Sequence, residues 1–289
     1  MAEASRPEAS PATRDCTSGL AEAFVSVECA LPQCEDCTVV AQRFSERAGI
    51  GELTLAAPLC AAGVRPGQFV HLRLPGLEAH ILRRPFSVYR ACASAGTITL
   101  LYQVVGAATR HMRSLSVGAE LSILGPVGSG WEPGRAQRCL LLGGGVGAAP
   151  LFLLAEELVA RGVALCLVLG AATRELLVCE DAFAGLVGSA RCHLTTDDGS
   201  RGFKGRTTER AAALLADEPY DYIAACGPEP MLRKVAALAA AADIRCELSL
   251  ERRMACGLGA CLGCVVETTR SNQRACVDGP VFNARELCW

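Results

Sequence analysis

Apolar positions along the chain fall into two textures. From Cys37 to about residue 132 they form short runs separated by turn residues: Thr38–Phe44, Glu52–Ala56, Gln68–Leu74, Ser87–Ala91, Thr97–Val105 and Glu120–Leu124. Several alternate, as in Val70-His71-Leu72-Arg73-Leu74, the period of a half-buried strand. Short strands at even spacing predict an all-β sandwich or small barrel. After Trp131-Glu132-Pro133-Gly134, read as a linker, near-continuous apolar runs alternate with helical patterns. Strands are expected at Arg138–Leu142, Val163–Leu169, Ala190–Thr195, Tyr220–Ala225 and Arg245–Leu250, with helices at Ala148–Arg161 and Pro230–Ala242. Strands apolar on both faces and separated by helices predict a parallel α/β sheet covered on both sides. From Glu251 the chain becomes a compact tail dense in Cys and Gly. Residues 1–36, rich in Ala, Glu, Ser, Pro and Cys, are expected to be a partly disordered extension. The expected division is thus 1–36, 37–132, 136–245 and 246–289.

Composition narrows the function. A net charge of −2 offers no basic excess to neutralise phosphates, which argues against nucleic acid as a partner. Aromatic residues are only 5%, too few for a base-stacking platform. The run Cys139–Ala155 carries no charge, but Gly143, Gly144, Gly145, Gly147 and Pro150 break it, so a strand, loop and helix start are expected rather than a membrane span. The chain has 17 cysteines. It is too long for a small disulfide scaffold, and Met1–Arg14 is too polar for a secretory signal. The cysteines are therefore read as intracellular thiols, some of them metal ligands.

The strongest motif is Cys256-Gly-Leu-Gly-Ala-Cys261-Leu-Gly-Cys264, with Cys276 further on. C-x4-C-x2-C followed by a distant Cys is the plant-type [2Fe–2S] spacing. Four thiolates must converge on two irons, and Gly257, Gly259 and Gly263 allow the backbone to wrap closely around the sulfides. The competing reading is a zinc site or a set of buried thiols, although a zinc ribbon usually brings two C-x2-C pairs. Cys34-x-x-Cys37, with Cys29 nearby, is read as buried or incidental thiols for want of a fourth ligand.

Leu140-Leu-Leu-Gly143-Gly-Gly-Val-Gly147-Ala-Ala-Pro150 reads as a strand, a glycine loop and a helix start. Such a turn lets backbone N–H groups approach a pyrophosphate, but it also serves tight strand–helix packing without a ligand. The usual Rossmann acid about 20 residues on is missing. A second loop, Cys226-Gly227-Pro228-Glu229-Pro230, follows the Tyr220–Ala225 strand, where open α/β sheets bind ligands. In the strand-rich half, Arg83-Arg84-Pro85-Phe86-Ser87 is either a solvated turn or a pair of bidentate phosphate contacts. Thr109 is expected to cap a short helix, Arg110–Leu115, and to face a phosphate.

Together these motifs resemble the ferredoxin–NADP reductase superfamily. The tail from Leu250 to Phe282 is more specific and resembles the electron-transfer subunits of NAD-dependent (class 1B) dihydroorotate dehydrogenase. The resemblance spans residues 37–289. It implies an FAD-binding Greek-key barrel, an NAD-binding α/β domain and a [2Fe–2S] tail. Arg84, Pro85, Phe86 and Ser87 would form the FAD motif, with Arg84 on phosphate, Phe86 against the flavin and Ser87 near N5. Leu101, Tyr102 and Gln103 would add a second FAD contact, and Ala108-Thr109 a third, where relatives usually carry Gly-Thr. Gly143, Gly144, Gly145 and Gly147 would hold the nicotinamide nucleotide, with Cys226 and Gly227 near the nicotinamide. Cys256, Cys261, Cys264 and Cys276 would ligate the cluster.

The resemblance further implies a cytoplasmic oxidoreductase subunit without acid–base catalytic residues of its own. Electrons would run from the FMN of a separate catalytic subunit through [2Fe–2S] and FAD to NAD+, in pyrimidine biosynthesis, in a complex with two of each chain. The tail after Ala255 would face that subunit. The alternative keeps the cofactors but places the chain in a glutamate synthase-like, bifurcating transhydrogenase or sulfhydrogenase complex. Preference between NAD and NADP is not readable: Arg174 could accept a 2′-phosphate and Glu175 could repel one.

Overall fold

The computed structural model describes residues 32–77 and 80–289. Most of the expected extension, with Cys29, lies outside the described residues.

The strand-rich half is a closed antiparallel barrel. Its strands are β1 (Gln33–Ser45), β2 (Ile50–Ala56), β3 (Phe69–Arg73), β4 (Arg84–Cys92), β5 (Thr97–Gln103) and β6 (Glu120–Val127), in the order β1-β2-β5-β4-β3-β6. The chain crosses from β2 to β3, and β3-β4-β5 returns to lie beside β2, a Greek-key path. Val39, Leu53, Leu55, Val70, Leu72, Val88, Ile98, Leu100 and Ile123 fill the interior. The first strand starts at Gln33, inside the segment expected to be an extension. It is fixed there by Glu35, a buried carboxylate that accepts from the amides of Leu59 (2.8 Å) and Cys60 (2.9 Å) at the start of α1 (Pro58–Gly63). Those amides have no partner within the helix, so a charge three residues before the expected strand start becomes part of the barrel.

The second half is one seven-stranded sheet, built on β7 (Arg138–Gly144), β8 (Ala164–Ala171), β9 (Cys192–Thr196), β10 (Phe203–Lys204), β11 (Tyr222–Cys226), β12 (Arg245–Ser249) and β15 (Val281–Asn283). The order is β10-β9-β8-β7-β11-β12-β15, parallel except for β15. Helices α3 (Phe152–Ala160), α4 (Glu180–Val187), α5 (Thr207–Asp217) and α6 (Glu229–Ala241) cover it. Because β12 and β15 both belong to this sheet, an expected division at 245/246 cuts through its structure. The tail proper is the loop 250–264 and the hairpin β13 (Val265–Glu267) with β14 (Asn272–Arg274).

The expected linker is a fixed joint rather than a free tether. Trp131 is buried, its indole N–H donates to the Pro150 carbonyl (3.1 Å), and its ring lies where a side chain on Gly67 would stand. The amide of Glu132 donates to the buried Glu247 carboxylate (2.8 Å), which also accepts from the Tyr222 hydroxyl (2.6 Å). A buried carboxylate needs several donors to offset its lost hydration, and here the joint supplies one of them. On the other side Tyr89 and Arg90 of β4 pack on Phe152 of α3, with Arg90 4.2 Å above the ring.

Candidate functional site

The register of β4 creates the cleft. Arg84–Ser87 pair with Leu72–Phe69 of β3, whereas pairing with β5 begins only at Val88 opposite Leu100. Leu101–Gln103 therefore pair with β2 and diverge from Arg84–Ser87. The 3₁₀ turn Gly145–Leu151 packs against β4 and β5 beside this opening.

The two arginines have different jobs. The Arg83 guanidinium is bound to β6, donating to the carbonyl (2.9 Å) and hydroxyl (2.9 Å) of Ser122. Among the described residues Arg84 donates to the nearby Leu82 carbonyl (2.6 Å) and is half-buried, so part of its guanidinium stays available to an anion. Pro85, Phe86 and Ser87 are also half-buried, Phe86 against the barrel core.

Two expectations are corrected. Tyr102 turns into the barrel: it is buried, lies directly over Gly51, and its hydroxyl accepts from Gln42 (3.0 Å). The ring cannot reach a ligand in the cleft, because alternation along β5 sends Leu101 outward and Tyr102 inward. Thr109 is not the cap of a helix starting at Arg110. The helix, α2, runs Ala107–Arg113, and the Thr109 hydroxyl closes its first turn by accepting from the amides of Val105 (3.0 Å) and Gly106 (3.1 Å). Ala108 and Gln103 are half-buried at the same end of the barrel.

The expected glycine loop and second loop meet at the carboxyl ends of β7 and β11, where Gly143 pairs with Cys226. This is the point where the strand order reverses, so the crevice opens here. Most of these glycines serve loop-to-loop contact. A side chain at Gly144 would strike Met231 and Pro228, one at Gly147 the Cys226 carbonyl, and one at Gly143 the backbone of Ala148. Gly145 differs: it takes φ +56° and faces open space. Gly227, at φ +158°, lies against Gly144. Burial pushes the Cys226 thiol up to about 12, against a hydrogen bond with Ser249, so it stays a neutral thiol. Glu175 pairs with Arg47 of the barrel, and the Arg174 amide donates to the Ser200 hydroxyl.

Of the four tail cysteines, Cys264 and Cys276 are buried, Cys256 is half-buried and Cys261 is exposed. Among the described residues no three metal-ligating side chains close on one point. The loop is nevertheless shaped to deliver amides to sulfur. The N–H of Leu258 donates to Cys256 Sγ (3.3 Å), and that of Gly263 to Cys261 Sγ (3.4 Å). Gly257, Gly259 and Leu262 all hold positive φ to do so. Burial would raise the Cys256 thiol, but the amide of Leu258, together with Cys261 and Ala260, outweighs it and brings the group down to about 6. Amides aimed at a sulfur favour thiolate, the form that binds iron. Cys264 and Cys276 are buried in the core that joins Phe69, Leu124 and Val127 of the barrel to the sheet and the tail.

His71 was not singled out by sequence reasoning. It is fully buried on β3, opposite Pro85, with its ring against Gly257 and neither ring nitrogen hydrogen-bonded. Burial, then the charge of Arg83, lowers it to about 4, so it is neutral. Alternation marks His71 only as an outward position; that the tail covers it is a long-range fact.

Residues 37–131 match the oxidoreductase FAD-binding domain, and 251–288 match the iron–sulfur cluster binding domain of dihydroorotate dehydrogenase B. The chain is 38% identical over 260 residues to the dihydroorotate dehydrogenase B (NAD(+)) electron transfer subunit of Bacillus caldolyticus, covering 88% of this chain and 98% of that one. The chain belongs to this family of electron-transfer subunits. It is an oxidoreductase subunit with FAD-binding and iron–sulfur domains. Among solved structures, one from an NADH-dependent reduced ferredoxin–NADP oxidoreductase superposes with a TM-score of 0.79 at 30% identity, covering 90% of each chain. A Neisseria gonorrhoeae ferredoxin NADP+ reductase with bound FAD and NADP shares the fold, with a TM-score of 0.60 at 16% identity over 72% of this chain and 91% of that one. Among the described residues no helix is long and apolar enough to cross a membrane.

Proposed function

We propose that this chain carries electrons between NAD+ and a separate FMN-containing subunit that oxidises dihydroorotate, in a cytoplasmic complex with two copies of each chain. When bound, FAD exchanges a hydride with nicotinamide and single electrons with an iron–sulfur cluster. The chain's residues place these groups. Arg84 would offer guanidinium donors to the FAD pyrophosphate, Phe86, backed by the barrel core, would support the flavin, and the Ser87 hydroxyl would hydrogen-bond it. Gly145, with its open flank, admits the nicotinamide nucleotide between the two loops. Cys226 and Gly227 form a small neutral floor that leaves room for a flat ring. Cys256, Cys261, Cys264 and Cys276 would hold the cluster, and the amides of Leu258 and Gly263 that donate to the Cys256 and Cys261 sulfurs would favour negative charge there. Leu258, Leu262 and Val277 stand exposed around these cysteines. An apolar rim of this kind suits a partner surface that excludes water from the path.

The observation that carries this reading is the shared core. Cys264 and Cys276 belong to the same buried core as Phe69, which pairs with Ser87 across β3 and β4, so thiols and cleft are joined by one continuous core. Purified chain is expected to hold FAD, iron and sulfide, and to oxidise NADH with an artificial acceptor. It is expected to oxidise dihydroorotate only when the catalytic subunit is added. Dihydroorotate turnover by the chain alone, or iron content unchanged in Cys261→Ser, would overturn the assignment.

A further inference from the structure

His71 is an anomaly that the family assignment does not explain. An imidazole carries one N–H donor and one acceptor, and burying such groups without partners costs about 1–3 kcal/mol each. Both nitrogens of His71 lack partners, and the residue is 0% exposed. Nearby groups do not relieve it: Phe69 lies 5.5 Å away, ring to ring, and Arg83 reaches only the His71 backbone carbonyl.

Its placement is specific. One face of β3 sends Val70 and Leu72 into the barrel, so Phe69 and His71 point outward, toward the tail. A Cβ added to Gly257 would come within 3.0 Å of His71 Nε2 and Cδ2. Gly257 sits at φ +70° between Cys256 and the amide of Leu258 that donates to the Cys256 sulfur. The ring edge therefore abuts the loop that presents Cys256 and Cys261. Across the strand, His71 is paired with Pro85 of the flavin-cleft segment. It is the buried polar side chain that stands between cleft and cysteine loop.

We propose that His71 is a positioning residue for the iron–sulfur group, donating its one N–H to a sulfur held by the Cys256–Cys261 loop and so raising the group's reduction potential. The inference rests on the four-cysteine reading above. Sulfur is the acceptor chemistry that fits: it is large, diffuse and negative, and it accepts from amides already arrayed on the same loop. A donor to that sulfur favours the more negative, reduced form. Removing it makes reduction harder.

The test uses the full chain carrying its flavin and iron. His71→Phe removes both nitrogens and keeps a ring of similar breadth. His71→Gln restores a donor near the Nε2 position. In redox titrations followed by electron paramagnetic resonance, His71→Phe is expected to lower the reduced-to-oxidised ratio of the iron–sulfur group about tenfold at fixed poise, equal to 59 mV for a one-electron couple. The flavin potential is expected to hold, and His71→Gln to recover most of the shift. Independently of any variant, chain labelled with ¹⁵N-histidine is expected to show nitrogen hyperfine coupling to the reduced iron–sulfur signal. An unshifted potential in His71→Phe with full iron, or no such coupling in the labelled wild-type chain, overturns the role of His71 alone. A wild-type chain that takes up no iron and sulfide overturns the four-cysteine reading, and this inference with it.

Discussion

At the scale of single residues, chemistry and packing often compete for the same side chain. Tyr102 illustrates a packing outcome: its hydroxyl is satisfied by Gln42 and its ring covers Gly51. Tyr102→Phe is expected to cost about 0.5–1.5 kcal/mol, the worth of one hydrogen bond, with FAD content unchanged. Denaturant unfolding and flavin absorbance read the two quantities separately, and loss of flavin at full stability would return Tyr102 to the cleft. Gly257 is the opposite case. A left-handed backbone costs a residue with Cβ about 1–2 kcal/mol, and the added methyl would also meet the His71 ring. Gly257→Ala is therefore expected to lower iron content severely while the barrel keeps its FAD, as measured by iron and flavin assays on one preparation.

At the scale of elements, the strands were legible and several connections were not. Alternation and apolar runs located all the long strands, because burial on one or both faces leaves a local period. Helix α4 left only a weak start signal: Glu180 and Asp181 stand in its first turn, but its N-cap is Cys179 in a left-handed conformation, a residue type with no capping preference. Helix α5 did carry a signal in Glu209, whose carboxylate accepts from the Arg206 amide (3.0 Å), followed by an apolar Ala-Leu stripe. The pair Arg83-Arg84 could not be divided from sequence, since only the tertiary structure reveals that Arg83 is bound to Ser122 of β6 while Arg84 bonds only locally, to the Leu82 carbonyl, among the described residues. The cysteine spacing is legible because a loop and its return are local, whereas the burial of His71 required β3 and the tail to meet. The division of labour between the arginines predicts distinct losses. Arg84→Ala is expected to weaken FAD binding about tenfold or more with little change in stability, as one charge-assisted phosphate contact is lost. Arg83→Ala is expected to lower stability first, by loosening β4 from β6. Flavin titration of apoprotein beside thermal unfolding checks both, and equal effects of the two variants would refute the distinction.

At the scale of the whole molecule, the chain is three functional units sharing cores rather than three beads. The tail returns to the nucleotide-side sheet through β15, whose Phe282 is buried in the same cluster as Cys264, Cys276 and Phe69. The Phe282 ring also fills the space over Gly279, where any Cβ would collide with it. Removing that ring leaves a cavity bordered by barrel, sheet and cysteine hairpin at once. Phe282→Ala is expected to cost about 3–5 kcal/mol and, unlike a substitution in the barrel interior such as Leu100→Ala, to lower iron retention as well as the melting temperature. The reason is geometric: β15 pairs with β12, and the Ser129 hydroxyl of the barrel exit donates to the Asp278 carbonyl just before β15 (3.0 Å), so slack at Phe282 reaches Cys276 within a few residues. Differential scanning calorimetry with parallel iron analysis would measure both. Retention of full iron in a chain destabilised by that amount would mean that the tail holds its cysteines in register without help from the sheet, and that the rigid path between thiols and flavin cleft depends on the β3 contact alone.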